Sequence, residues 1–141
     1  MATASEALDR LTIMERLNRY AWGYDVPDLE MLKDSFTCDA VFFIHMKDGK
    51  EWGPLQGRDL IVDWMANVKK AQSGQRRHSI TGVLFDELAQ EHATVRCFLV
   101  VTSAGDDTVN LVTTGGYRIE LGREGSAWRI RKLELLLDAA F

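Results

Sequence analysis

The sequence predicts an α+β fold, and three observations carry that expectation. Segments with helical spacing lie before Gly74, long runs rich in Val, Leu, Ile and Thr lie after it, and no linker, repeat or low-complexity tract divides the chain. Helices grouped first and strands grouped afterwards are the pattern of helices segregated to one face of an antiparallel sheet. A strongly curved sheet of this kind wraps over the helices and encloses a space.

From Ser5 to Tyr24 the apolar positions Leu8, Leu11, Leu17, Tyr20, Ala21 and Tyr24 recur at helical spacing, with Glu6, Asp9, Arg10, Glu15, Arg16 and Arg19 mostly on the other faces. This predicts a long amphipathic helix. Asp25-Val-Pro-Asp28 breaks it, and Asp28 is placed to cap a short second helix from Leu29 to Phe36, because its carboxylate can accept from free backbone amides. Ala40 to Met46, the turn Lys47-Asp-Gly-Lys50 and Glu51-Trp52 read as a strand and a short returning strand. Arg58 to Ala71 carries Leu60, Ile61, Trp64, Met65 and Val68 at helical spacing and stops before Gly74, which makes a third helix. Arg77 to Leu84, Ala93 to Thr102, Thr108 to Leu121 and Ala127 to Leu137 then read as four strands of an antiparallel meander.

The chain has 141 residues, so one domain spanning 1–141 is expected. With 46% hydrophobic and 27% charged residues it can bury a core, which excludes intrinsic disorder. A net charge of −4 with scattered basic residues argues against nucleic acid or an anionic membrane as partner. No apolar run approaches the roughly 18 to 20 residues of a membrane helix, and MATASEALDR lacks the pattern of a secretory signal, so a cytoplasmic location is expected. Cys38 and Cys97 have no metal-ligand spacing and are expected to be reduced and mostly buried.

Phosphate-loop, dinucleotide, metalloprotease and serine-elbow signatures are absent, so neither cofactor nor metal is expected. Of the three histidines, His92 falls in a polar turn and reads as solvated, while His45 near a strand end suits a surface or oligomer contact. His78 opens an apolar strand and can face an enclosed space, either as a satisfied structural histidine or as a catalytic one. Asp25 ends the first helix, where it serves either as a turn residue or as a carboxylate that orients an imidazole. Tyr20 lies about one and a half helical turns before Asp25, so both can line one end of a pocket; otherwise it is a core aromatic.

The pattern Tyr20-Ala-Trp-Gly-Tyr24-Asp25, Asp28-Leu29, Phe36-Thr-Cys-Asp39-Ala40-Val41, Arg77-His78-Ser-Ile-Thr81, Gly115-Gly116-Tyr117 and Trp128-Arg129-Ile130 resembles the SnoaL-like branch of the nuclear transport factor 2-like superfamily. That branch includes scytalone and bile-acid dehydratases, a dehydrochlorinase and polyketide cyclases. The resemblance covers nearly the whole chain and implies a cone-shaped α+β barrel. It implies a catalytic pair at Asp25 and His78 and a further catalytic position at Tyr20. The second histidine of scytalone dehydratase has no counterpart in Ala93 to Thr102.

The expectation is a cofactor-independent lyase. His78, oriented by Asp25, removes an acidic C–H proton while a hydroxyl leaves with a proton from Tyr20. Tyr24, Phe42, Trp64, Val68 and Ile80 are the candidates for an apolar substrate pocket, which suits a polycyclic, polyketide-like or terpenoid molecule. The same groups serve an isomerisation or a cyclisation; a non-catalytic binding protein or structural subunit is the alternative. Apolar side chains on both faces of the last strands, Ile130 and Leu136 on one and Leu133, Leu135 and Leu137 on the other, suggest a homo-oligomer, and the resemblance favours a trimer over a dimer.

Overall fold

The computed structural model describes residues 1–141. The elements are α1 (Ala4–Asp25), α2 (Leu29–Asp34), β1 (Phe36–Met46), β2 (Glu51–Gln56), α3 (Arg58–Ala71), β3 (Gln75–Leu88), β4 (His92–Gly105), β5 (Thr108–Glu124) and β6 (Ala127–Leu137). One six-stranded sheet runs in the order β2-β1-β6-β5-β4-β3. The four last strands form the expected antiparallel meander, whereas β1 joins β6 in parallel. The sheet wraps over the helices but does not close on itself: β2 and β3 are its two edges, which corrects the barrel to an open, curved sheet.

A capping box starts α1, with Thr3 and Glu6 each satisfying the other's backbone amide. Its buried stripe is Ile13, Leu17, Tyr20, Ala21 and Tyr24, while Leu8 and Leu11 face solvent. The inward stripe continues through Asp9, which accepts from Trp128 and Arg123, so Leu8 and Leu11 fall on the outward side and are not part of the core as the spacing suggested. Asp28 caps α2 by accepting from the Met31 amide at 3.1 Å. That helix stops two residues earlier than its pattern suggests, because the Ser35 carbonyl accepts from the Ile130 amide at 2.8 Å and Phe36 enters the β1–β6 pairing. Tertiary pairing there overrides local helical propensity.

Twenty-five buried side chains form one core between the helices and the concave face of the sheet. The faces of β6 differ from strict alternation. The β5–β6 register shifts between Glu120 and Leu121, so that Ile130 joins Leu133, Leu135 and Leu137 on the buried face. One extra residue in a bulged strand reverses parity, and the outer face of β6 is then mostly charged, with Leu136 its apolar exception. Of the two cysteines, Cys97 is buried and Cys38 is exposed, since β1 turns Cys38 outward. No helix is long and apolar enough to cross a membrane.

Candidate active site

The site is assembled where the end of α1 meets the start of β3. Gly23 allows this approach: a Cβ there would lie 2.8 Å from the Leu32 backbone nitrogen, so only glycine lets α2 fold back tightly beneath the last turn of α1. Gln75 then ties the helix end to β3, its Nε2 donating to the Asp25 carbonyl at 2.9 Å and to the Arg76 carbonyl at 2.8 Å.

This places the buried Asp25 carboxylate against His78. One carboxylate oxygen accepts from the His78 backbone amide at 2.6 Å and the other lies 2.6 Å from His78 Nδ1. A carboxylate oxygen accepts, so this contact selects Nδ1 as the donor and, in a neutral ring, leaves the lone pair on Nε2. Both side chains are about nine-tenths buried. The Tyr24 ring packs on the imidazole at 4.9 Å between centroids and restricts its rotation.

His78 lines a cavity walled by Tyr20, Tyr24, Phe42, Trp64, Tyr117 and Leu135, among others. The expected residues Tyr20, Tyr24, Phe42, Trp64 and His78 therefore share one space; Val68 and Ile80 do not. Trp64 and Met65 of α3 and Gln72 just after it reach the cavity, while Val68 falls outside it. Ile80 lies further along β3 and packs on the core instead. Phe42, Trp52 and Trp64 form an aromatic cluster at one end, with Trp52 and Trp64 centroids 4.4 Å apart. About 30 Å³ is open to the centre of a water-sized molecule, room for water but not for a polycyclic ligand. A larger ligand must displace wall side chains, of which Phe141 is 44% exposed.

Tyr117, which no local pattern in the sequence marks as a site residue, also reaches the cavity. Its hydroxyl lies 3.2 Å from that of Tyr20, and either can donate. Burial, with the neighbouring Tyr117 phenol second, pushes Tyr20 well above the usual tyrosine range, and burial does the same to Tyr117. Burial and then the Asp25 charge push Tyr24 up to about 12. These three are all the tyrosines of the chain, so the folded protein should show almost no phenolate absorbance near pH 10, where exposed tyrosines titrate. Above that pH the unfolded chain releases protons that the folded chain keeps. Stability is therefore full below about pH 10 and declines as pH rises toward 12, by about 2 to 3 kcal/mol through Tyr24 alone. Ultraviolet titration checks this, and three phenolates appearing near pH 10 in folded protein would contradict it.

His45 sits outside the cavity, between Glu51 at 3.2 Å and Glu134 at 3.4 Å. His92 pairs at 3.7 Å with the exposed Glu87. No group of three or more His, Cys, Asp or Glu side chains converges in a way that could hold a metal ion.

The family described as SnoaL-like domain matches residues 5–134. No curated protein matches the chain. Among solved structures, a protein of unknown function from Mycobacterium tuberculosis is similar at 26% identity and a TM-score of 0.80, over 96% of this chain and 75% of that one. A protein provisionally assigned as an aromatic ring hydroxylase, from Novosphingobium aromaticivorans, is 25% identical with a TM-score of 0.78, over 95% and 92%. A protein provisionally assigned as a scytalone dehydratase from the same organism shares the fold, with a TM-score of 0.80 at 15% identity over 98% and 89%.

Proposed function

The chain belongs to the SnoaL-like domain family, and from that premise we propose that it is a cofactor-independent lyase of the dehydratase type, acting on an apolar polycyclic or polyketide-like molecule. The observation that carries this reading is the Asp25–His78 contact in the wall of an otherwise apolar cavity. Asp25 holds the imidazole with Nε2 unprotonated. Nε2 takes a proton from the carbon beside a carbonyl, the C–H electrons become the new C=C bond, and the C–O bond on the next carbon breaks. Tyr20, kept neutral by burial, gives its proton to the departing hydroxide, and water leaves. The Tyr117 hydroxyl donates to the resulting Tyr20 oxygen, and the proton on His78 returns to it between turnovers. Acid and base assistance of this kind is worth about 10² to 10⁴-fold.

The same groups support an isomerase or a polyketide cyclase, because both begin with the same proton abstraction. The narrow cavity favours a second reading, a non-catalytic binding or structural subunit. A bicyclic β-hydroxy ketone that aromatises to a naphthol on losing water separates them. In deuterated buffer the protein should catalyse exchange at the carbon beside the carbonyl and release the fluorescent naphthol. Exchange without naphthol points to the isomerase or cyclase, and neither signal across a panel of such ketones points to the non-catalytic reading.

We also propose a homo-oligomer, a trimer before a dimer, in the cytoplasm. The oligomer is supported by the outer face of the sheet, where Phe98 is 67% and Leu84 is 52% exposed beside Leu136. The location is supported by two unpaired cysteines. Light scattering should give the mass of three chains, and Phe98→Asp should lower it. A wild-type mass near 16.0 kDa would remove the oligomer, and a mass of two chains the trimer.

A further inference from the structure

Arg76 stands two residues before His78 on β3, and the two-residue period of a strand turns both side chains to one face. It lines the cavity beside Tyr24, Gln72 and Phe141, with its guanidinium carbon 6.0 Å from the centre of the Phe141 ring. Its Nε is buried without a hydrogen-bond partner.

The other half of an ion pair is missing. Arg16, Arg96, Arg123 and Arg129 each lie within 3.2 Å of an aspartate oxygen, whereas no Asp or Glu side chain stands within ion-pair distance of Arg76. No Asp or Glu lines the cavity, and Asp25 behind its wall spends both oxygens on His78. Arg58 also has a buried, unpartnered Nε, but it lies at the start of α3, away from this cavity. A guanidinium cannot shed its charge in a protein, and half-buried Arg76 holds that charge, with one shielded Nε donor unmet, at the cavity wall. The charge of Arg76 also opposes that of Asp25 at the Tyr24 phenol, drawing it down where Asp25 pushes it up.

We infer that the ligand of this cavity carries a carboxylate, and that Arg76 is the specificity-determining residue that pairs with it. The planar fork of donors suits a two-oxygen acceptor, and the cavity's aromatic end takes the apolar body of the same molecule. The substrate class narrows to apolar, aromatic-sized carboxylic acids. This inference rests on the cavity being a ligand site, and does not require His78 to act as a base.

Calorimetry with 2-naphthoate and the nearly isosteric, neutral 2-naphthamide at neutral pH tests it. Wild type should bind the acid about tenfold more tightly than the amide, the increment of one charge-assisted pair. Arg76→Met should bind both within about twofold of each other, and Arg76→Lys should keep part of the preference. Equal binding of acid and amide by wild type overturns the proposal, and this comparison requires no variant to fold. Retention of the full preference in Arg76→Met overturns it as well. If wild type binds neither compound, the reading of the cavity as a ligand site fails with it; if it binds both equally, that reading stands and only the assignment of Arg76 fails.

Discussion

His78→Ala is expected to lower kcat/KM for release of the naphthol by about 10² to 10⁴-fold, the range of a lost general base. Asp25→Asn should lose much of the same activity by a different route. An amide in place of the carboxylate can donate to Nδ1 instead of accepting from it, which favours the ring with its proton on Nε2, where the substrate needs a base. His78→Ala leaves the Asp25 carboxylate one contact, the residue 78 backbone amide at 2.6 Å, so the variant retains a reason to fold. Solvent exchange beside the ketone carbonyl should fall in parallel with naphthol release in both variants. Tyr20→Phe should instead spare exchange more than release, because it removes the proton donor and leaves the base. Near-wild-type exchange and release in His78→Ala and Asp25→Asn would remove the mechanism.

Different parts of the architecture differ in how much local sequence determines them. The helix starts and the meander were legible because capping residues, turns and apolar periods are local signals. Asp28 caps α2 and β6 has the expected limits, since neither depends on distant residues. Parity within β6 was not legible: the register shift opposite Glu120 depends on how β5 and β6 pair, and it moves Ile130 to the buried face. The end of α2 failed in the same way, because Phe36 answers to Ile130 across the sheet.

The site divides along the same line. That Asp25 and His78 meet was implied by the family resemblance, whereas spacing alone left both residues with structural readings. Arg76 was not legible: it fell just before the expected strand Arg77 to Leu84, whereas β3 starts at Gln75, and composition gave no hint that it lacks an acid partner. Tyr117 and Phe141 reach the cavity from β5 and from beyond β6, and no spacing relates them to the residues at the end of α1.

Trp128→Ala carries the largest expected effect on stability, because several independent interactions converge on one side chain. Trp128 is 2% exposed in the core of β6. Its Nε1 donates to an Asp9 oxygen at 3.1 Å, the same oxygen accepts from Arg123 at 2.7 Å, and the Arg123 guanidinium carbon stands 4.5 Å from the indole ring. Although burial opposes it, the bonds from Trp128 and Arg123 hold the Asp9 carboxyl below its ordinary range. The indole thus fastens the first half of α1 to β5 and β6, filling the space between them. Its removal should cost about 3 to 5 kcal/mol through lost packing and the void left behind. That is a large part of the roughly 5 to 15 kcal/mol by which domains are stable, and it should lower Tm by on the order of 10 °C. Trp128→Phe separates the contributions: it keeps most of the packing and loses the Nε1 bond, which should cost less than half as much. Trp22→Ala is the control, since Trp22 is 66% exposed on α1 and should change stability by no more than about 0.5 kcal/mol. Urea unfolding of the three variants measures all of this, and a Trp128→Ala midpoint no lower than that of Trp22→Ala would show that α1 is held on the sheet by other contacts.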